Sequence, residues 1–485
     1  MADKLTISKI NESALRVRCD SGIAQELSDF FSFYVPGYKF MPAYRNKVWD
    51  GRIRLYNAQS QELPVGLFTY VTNFCAKRNY LVETETTHYG SPWDVEEVDD
   101  NDLKYFLKNL NLPFEVRDYQ YDALKKALRV KRAILLSPTG SGKSLIIYAL
   151  SQWVKGKVLV IVPTTSLVEQ MHSDFSDYGY DHAHKIYSGK DKNTDERIII
   201  TTWQSVYKFH PSWFSDFEMV IGDECHGFKS KSLTTLMNKC VNTGYRIGTT
   251  GTLDGTQTHK LVLEGLFGRV FNVTTTKDLQ DSDTLAKLKI NILELGYSDD
   301  IRKDVTNKKY QEELDYIVTF EKRNKFLTNL SIDQKGNTLV LFQYVEKHGK
   351  VLYDMIRTKV DSNRKVFFVS GETATADREA IRTITENQKN AIVVASMGVF
   401  STGVNIRNLH NIVFSSPSKS QIRVLQSIGR GLRKADDGSA TKLFDIVDDM
   451  QWKSKKNYVY THGQERIKIY DRERFEYKIF PIPLC

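Results

Sequence analysis

From residue 133 onward the chain alternates between short, largely apolar runs and longer segments with helical spacing of their apolar positions. Ala133-Ile134-Leu135-Leu136, Lys157 to Val162, Ile198-Ile199-Ile200 and Met219-Val220-Ile221 make one series. Thr338 to Phe342, Val366 to Val369, Ala391 to Ala395, Asn411 to Phe414 and Leu443 to Val447 make a second. Apolar runs of this length, separated by helical segments, read as strands buried on both faces of a parallel sheet. Upstream the pattern differs. Leu5 to Cys19 alternates as half-buried strands do, and a short helix is expected over Leu103 to Leu110. The expected fold class is therefore α/β: two parallel-sheet domains in tandem behind a small N-terminal α+β accessory domain. The expected limits are 1–108, 109–278, 279–452 and a basic helical tail over 453–485, with one amphipathic helix from Gly463 to Phe480. Gly90-Ser91-Pro92 and the acidic stretch Asp94 to Asp102 read as a linker.

The residues just past each apolar run carry the chemistry. After Leu136 come Ser137-Pro138-Thr139-Gly140-Ser141-Gly142-Lys143-Ser144, then a helix-forming run. A strand, a glycine loop and a helix N-terminus together aim backbone N–H groups at a phosphate. The pattern departs from G-x-x-x-x-G-K-[ST] only at Ser137. Thr139, Gly140, Ser141 and Gly142 would cradle the phosphates, Lys143 would reach the β/γ-phosphates, and Ser144 would ligate Mg²⁺. After Met219 to Ile221 come Gly222-Asp223-Glu224-Cys225-His226. Behind a phosphate loop, such an acid pair assigns Asp223 to the Mg²⁺ shell and Glu224 to the attacking water. His226 reads as a reporter of nucleotide state or as a helix cap, and Cys225 as filler.

Hydroxyl residues close several other strands. Thr164-Thr165 and Thr202 are placed to grip a sugar-phosphate backbone, or simply to cap helices. Thr250 and Thr252, in Gly248-Thr249-Thr250-Gly251-Thr252, suit a coupling hinge. Ser401-Thr402-Gly403-Val404-Asn405 reads as a loop touching both backbone and nucleotide. Arg430 and Arg433 share a helix face and would stabilise charge on the γ-phosphate, or contact nucleic acid. Arg117-Asp118-Tyr119-Gln120 lies upstream of the phosphate loop, where the Gln120 amide could read adenine or merely start a surface helix.

Composition narrows this modestly. The 485 residues suffice for about three domains. A net charge of +9 is permissive for nucleic acid. Between Phe30 and Tyr56 aromatics are interleaved with Lys39, Arg45, Lys47, Arg52 and Arg54 against one acid, Asp50. There the rings read mainly as core, and Arg45, Lys47 and Arg52 as candidate DNA contacts. The five cysteines have neither metal-ligand nor C-x-x-C spacing and read as reduced thiols. No membrane-spanning apolar run and no signal-peptide pattern is expected.

Taken in order, Gln120, the 137–144 loop, Thr164-Thr165, the Asp-Glu-Cys-His tetrad, Thr250-Gly251-Thr252 and Gln426-x-x-Gly429-Arg430-x-x-Arg433 resemble the motif set of superfamily two helicases of the DExH type. The likeness is strongest to phage recombination helicases. The resemblance implies two RecA-like domains with ATP between them, adds Gly403, Asn405 and Gln426 to the nucleotide-binding residues, and makes Ser401 and Thr402 DNA contacts. It implies ATP and Mg²⁺ as cofactors, branched or single-stranded DNA and RNA–DNA hybrids as partners, possible phage recombination proteins, a monomer, and the host cytoplasm. The implied activity is ATP-dependent remodelling of branched DNA. An RNA helicase, or an annealing module with a vestigial ATPase, is the alternative.

Overall fold

The computed structural model describes residues 4–187, 194–253, 256–402, 408–416 and 440–484. The chain divides into two compact units: Met1–Ser137 with Gly142–Val273, and Thr274–Cys485 with Pro138–Ser141.

In the first unit, strands Val270–Asn272, Arg132–Leu136, Tyr245–Thr250, Phe217–Asp223, Lys157–Val162, Ile198–Thr202 and Ala183–Ile186 lie side by side in that order, all parallel. The apolarity of the runs has its explanation here. Successive residues of one strand enter different cores: Val158, Val160, Ile198 and Ile200 on one face, Leu159, Ile161 and Ile199 on the other. Side chains alternate across a sheet, so a strand covered on both faces is apolar at most positions. Parallel pairing also brings the C-terminal ends to one edge, where Leu136 pairs with Thr250 and Asp223 with Thr249. Ligands bind along that edge in open α/β sheets.

The front segment forms a mixed sheet in the order Glu62–Pro64, Ala14–Arg18, Lys4–Lys9, Leu81–Glu85. The alternation at its start is realised: Leu5, Ile7, Leu15 and Val17 are fully buried. This segment is not a separate body. Leu261, from the helix Gln257–Phe267, completes its core. Gly66 lies so close to that helix that a Cβ would fall 1.8 Å from the Glu264 carbonyl oxygen. Tyr70 donates to Glu264 Oε2 at 2.6 Å. Arg132 at the start of the phosphate-loop strand pairs with Glu12, and Arg246 donates to Ser13 Oγ at 2.6 Å. Burial, and then the neighbouring Arg132 charge, push the Arg246 guanidinium down to about 9.

Two expectations are corrected at this point. The helix expected over 103–110 starts at Asp100, capped by Asp99, and its Leu103 is buried in the core of the first parallel sheet. The accessory segment therefore ends before residue 108. The tail is not one helix. Tyr458–Arg472 is helical, but Tyr477–Pro483 is an edge strand paired with Leu288–Gly296. An edge position tolerates Pro481 and Pro483, which have no N–H to donate.

The second unit has its own seven-stranded parallel sheet: Val366–Val369, Ile392–Ser396, Thr338–Phe342, Asn411–Phe414, Thr441–Asp449, Leu288–Gly296, Tyr477–Pro483. Gly463 lets the tail helix lie on this sheet, for a Cβ there would fall 2.7 Å from Val447.

Candidate active site

The loop after Arg132–Leu136 is built by two glycines in the left-handed region, Gly140 at φ 84° and Gly142 at φ 80°, which residues with a Cβ rarely adopt. Ser137, where the strict pattern has glycine, is fully buried, and its N–H donates to the Thr250 carbonyl at 2.8 Å. The serine extends the strand by one ladder bond. Ser141 Oγ donates to the Pro138 carbonyl at 2.7 Å and Thr139 lies between them in the loop. Lys143 and Ser144 open the helix Lys143–Trp153 directly after Gly142. Gln120 is 3% exposed and stands in the first turn of the helix Asp118–Val130, so the helix-start reading holds. Its Oε1 accepts from Arg117 N at 3.0 Å, and its Nε2 lies where a Cβ on Gly142 would come within 2.3 Å.

Opposite the loop, the strand Phe217–Asp223 delivers the carboxylates. Lys143 Nζ lies 3.3 Å from Glu224 Oε1. Glu224 sits at φ 48°, a left-handed conformation that a side-chain-bearing residue holds only when its surroundings enforce it. Thr249, on the neighbouring strand, donates to Asp223 Oδ1 at 2.7 Å. Burial and the adjacent Glu224 charge hold the Asp223 carboxyl above the usual range. For Glu224 burial acts upward too, but Lys143 and His226 outweigh it and hold its carboxyl well below that range. Like charges side by side push two titrations apart.

The residues expected to couple are in contact with this pair. Thr250 Oγ1 is 3.3 Å from Glu224 Oε2, 3.0 Å from His226 Nδ1 and 3.0 Å from the Thr252 carbonyl oxygen. His226 Nδ1 is itself 3.3 Å from Glu224 Oε2. The bland reading of His226 as a cap gives way to a Glu224–His226–Thr250 triangle. Cys225 is buried against Gly248, and burial pushes its thiol well up, which excludes a nucleophile.

Two partners were not visible in the sequence. Thr249 reaches Asp223 only through strand register. Tyr178, whose hydroxyl lies 2.9 Å from Ser144 Oγ, comes from the end of the helix Thr165–Asp177. No motif marks either one.

The proposed DNA-contact residues fare unevenly. Thr164 is a helix cap, accepting from Leu167 N at 3.3 Å, and Thr165 beside it is exposed. Thr202 is a correction: it is 4% exposed and its hydroxyl pairs with Ser205 at 2.9 Å, so it presents nothing to a strand. Ser401 and Thr402 end the helix Met397–Thr402. Arg45 and Lys47 are exposed, and Arg52 is half-buried with its guanidinium 4.4 Å from the centre of the Tyr34 ring. Gly403, Asn405, Gln426, Arg430 and Arg433 lie outside the described residues.

Among the described residues no cluster of His, Cys, Asp and Glu forms a closed metal site. Asp223 and Ser144 offer one carboxylate and one hydroxyl, hard oxygen donors that fit a Mg²⁺ completed by phosphate oxygens and water.

A phosphate loop facing an acid pair at one edge of a parallel sheet, with a second parallel sheet later in the chain, is the layout of a superfamily two helicase with two RecA-like domains, and the relatives of the chain establish that class. Family models bear on most of the chain: "DNA helicase UvsW, N-terminal" over residues 6–85, "Type III restriction enzyme, res subunit" over 113–255, and "Helicase conserved C-terminal domain" over 321–435. The chain is 37% identical to the ATP-dependent DNA helicase uvsW of Enterobacteria phage T4, over 96% of this chain and 97% of that one. It belongs to the UvsW family of helicases. The crystal structure of T4 UvsW matches with a TM-score of 0.52 at 34% identity, covering 99% of this chain and 100% of the other. The DNA 3'-5' translocase XPB2 of Sulfurisphaera tokodaii is 23% identical over 85% of this chain and 93% of its own length.

Proposed function

We propose that this protein is an ATP-dependent DNA helicase that remodels branched DNA, by fork regression, branch migration and the dissociation of R-loops and D-loops, in phage recombination, replication and repair. The observation that carries the reading is the Lys143–Glu224 contact at 3.3 Å, which puts a phosphate-binding cation and an ionised carboxylate on one small volume. The end-to-end similarity to the T4 helicase supports DNA as the polynucleotide. Among the described residues no helix is long and apolar enough to cross a membrane. The reading has the chain work as a monomer in the host cytoplasm.

Mechanistically, the loop N–H groups and Lys143 take the β- and γ-phosphates of ATP. Lys143 cannot serve a phosphate and Glu224 at full strength together. As it turns to the phosphate, Glu224 loses its main counter-charge and becomes a stronger base. Glu224 then accepts a proton from the water whose oxygen attacks the γ-phosphorus, as the bond to the β-phosphate oxygen breaks. Asp223 and Ser144 would hold Mg²⁺, which would supply positive charge against the phosphates. The Glu224–His226–Thr250 triangle passes the change in Glu224 to Thr252 and the helix beyond it. Thr165, Ser401, Thr402, Arg45 and Lys47 contact the DNA. Arg430 and Arg433 remain the sequence-based expectation for the residues that meet the γ-phosphate.

The test is ATP hydrolysis with single-stranded, duplex, forked and four-way DNA, and with RNA. Lys143→Ala is expected to lower DNA-stimulated turnover by about a hundredfold or more, as the loss of a transition-state contact does. Turnover within a few-fold of the unaltered protein overturns the site. Stimulation by RNA equal to that by DNA overturns the polynucleotide.

A further inference from the structure

Resting on the DNA-remodelling reading, we propose that the excursion between residues 34 and 48 of the front segment is a base-stacking site for the nucleotides unpaired where duplex DNA branches, with Phe40 as the stacking ring. The excursion grows from a two-stranded hairpin, Ser32–Tyr34 against Arg52–Arg54. It carries a 3-10 turn, Tyr38–Phe40, and a single turn of helix, Pro42–Arg45. Its base is rigid. The rings of Tyr34 and Tyr38 stack at 4.7 Å, and Tyr44 meets Tyr38 edge-on at 4.7 Å. The Tyr38 ring fills the space over Gly51, where a Cβ would come within 2.3 Å of it. Arg52 donates to the Tyr34 hydroxyl at 3.0 Å, and Trp49 Nε1 to the Arg52 carbonyl at 2.8 Å.

The side chains mounted on this base are exposed. Val48 at 81% and Phe40 at 76% are the most exposed large apolar side chains among the described residues, and Tyr34 and Met41 stand in the same excursion. Apolar side chains gathered at one exposed place mark a contact surface. Charge selects the occupant. Lys39, Arg45 and Lys47 are exposed around the apolar tip, and the nearby acid, Asp50, is paired with Arg54. The core of a protein–protein contact is depleted of charge. An aromatic ring set among cations suits a base with its phosphates. The tip is also firmly mounted, because its segment shares a core with the helix Gln257–Phe267, which comes soon after Thr252 in the chain.

The experiment uses the full chain without nucleotide and forked DNA carrying 2-aminopurine at the branch point. The protein is expected to quench the probe, as stacking on a ring does. Phe40→Ala is expected to abolish the quench and weaken fork binding by about 5- to 100-fold, the loss of roughly one base stack. Phe40→Trp is expected to restore both, and Phe40→Leu neither. Tyr105→Ala, at an isolated exposed ring, is expected to change nothing. Unchanged quenching with Phe40→Ala overturns the proposal. So does rescue by Phe40→Leu, which would mark a general apolar contact such as a protein partner. Failure here is separate from failure of the ATP site, which is read from Lys143→Ala in the hydrolysis assay.

Discussion

Both seven-stranded sheets carry carboxylates with little solvent exposure, and the two sets are compensated in opposite ways. In the second unit, Asp448 is fully buried and takes a two-pronged bond from Arg323, at 2.7 and 3.0 Å, and the Tyr297 hydroxyl at 2.7 Å. Asp445 likewise meets Arg466 at 2.9 and 3.0 Å and Tyr470 at 2.8 Å. Each acid has a guanidinium that cannot lose its charge. In the first unit, Asp223 and Glu224 share one lysine, one is held above and the other below the usual carboxylate range, and Glu224 sits in a strained backbone conformation. Burial of charge is common to both. What separates a site from a staple is that the first unit's two carboxylates share a single lysine, whereas each acid of the second unit has its own guanidinium.

The sharpest test of that distinction is Glu224→Gln. It is expected to lower DNA-stimulated hydrolysis by about a thousandfold while nucleotide binding, measured by fluorescent-analogue titration, stays within a few-fold. A comparable loss of binding would make Glu224 a staple as well. Next in size is Asp448→Ala, which leaves Arg323 buried without its counter-charge. Denaturant titration is expected to show a loss of about 3–5 kcal/mol. Replacing both partners with apolar residues of similar volume should recover most of that. If the double variant is as unstable as the single one, the pair is more than a staple.

Asp223→Asn gives the smallest effect on stability and the most direct contrast. The folded state holds the Asp223 proton more tightly than the unfolded chain, whose ordinary value is 3.8. Unfolding therefore releases a proton between that value and the raised one. Stability conferred by the neutral form is lost as pH rises through this window, and the cost persists at neutral pH. In EDTA at pH 7, Asp223→Asn is expected to raise the Tm and to flatten the decline in Tm above pH 4; assayed separately with Mg²⁺, it is expected to abolish hydrolysis. A lower Tm at pH 7 would mean that Asp223, like Asp448, is already compensated.

Much of the candidate site was legible in the chain because its parts are local. The 137–144 loop is one stretch of backbone whose glycines dictate its shape, and Asp223-Glu224 comes directly after its strand. The apolar runs announced both sheets because a doubly covered strand has no polar face. Other features were hidden because they join distant residues or depend on which face a side chain takes. The front segment's rings illustrate this. Phe31 and Tyr56 are core, as expected of strand-spaced aromatics, whereas Phe40 points to solvent. The apolar content of Tyr477 to Pro483 fits a helix or a strand equally, and only its place beside Leu288–Gly296 decided.

The sequence by itself determined the order of elements, the parallel sheets and the phosphate loop with its acid pair, since each is written in contiguous residues whose backbone and burial requirements are local. Tertiary structure alone decided which cations meet which carboxylates, that Thr249 and Tyr178 hold Asp223 and Ser144, and that the front segment is locked to the first motor domain through Gly66 and Glu264. Those contacts are fixed by strand register and close packing between residues far apart in the chain, quantities that no local pattern encodes.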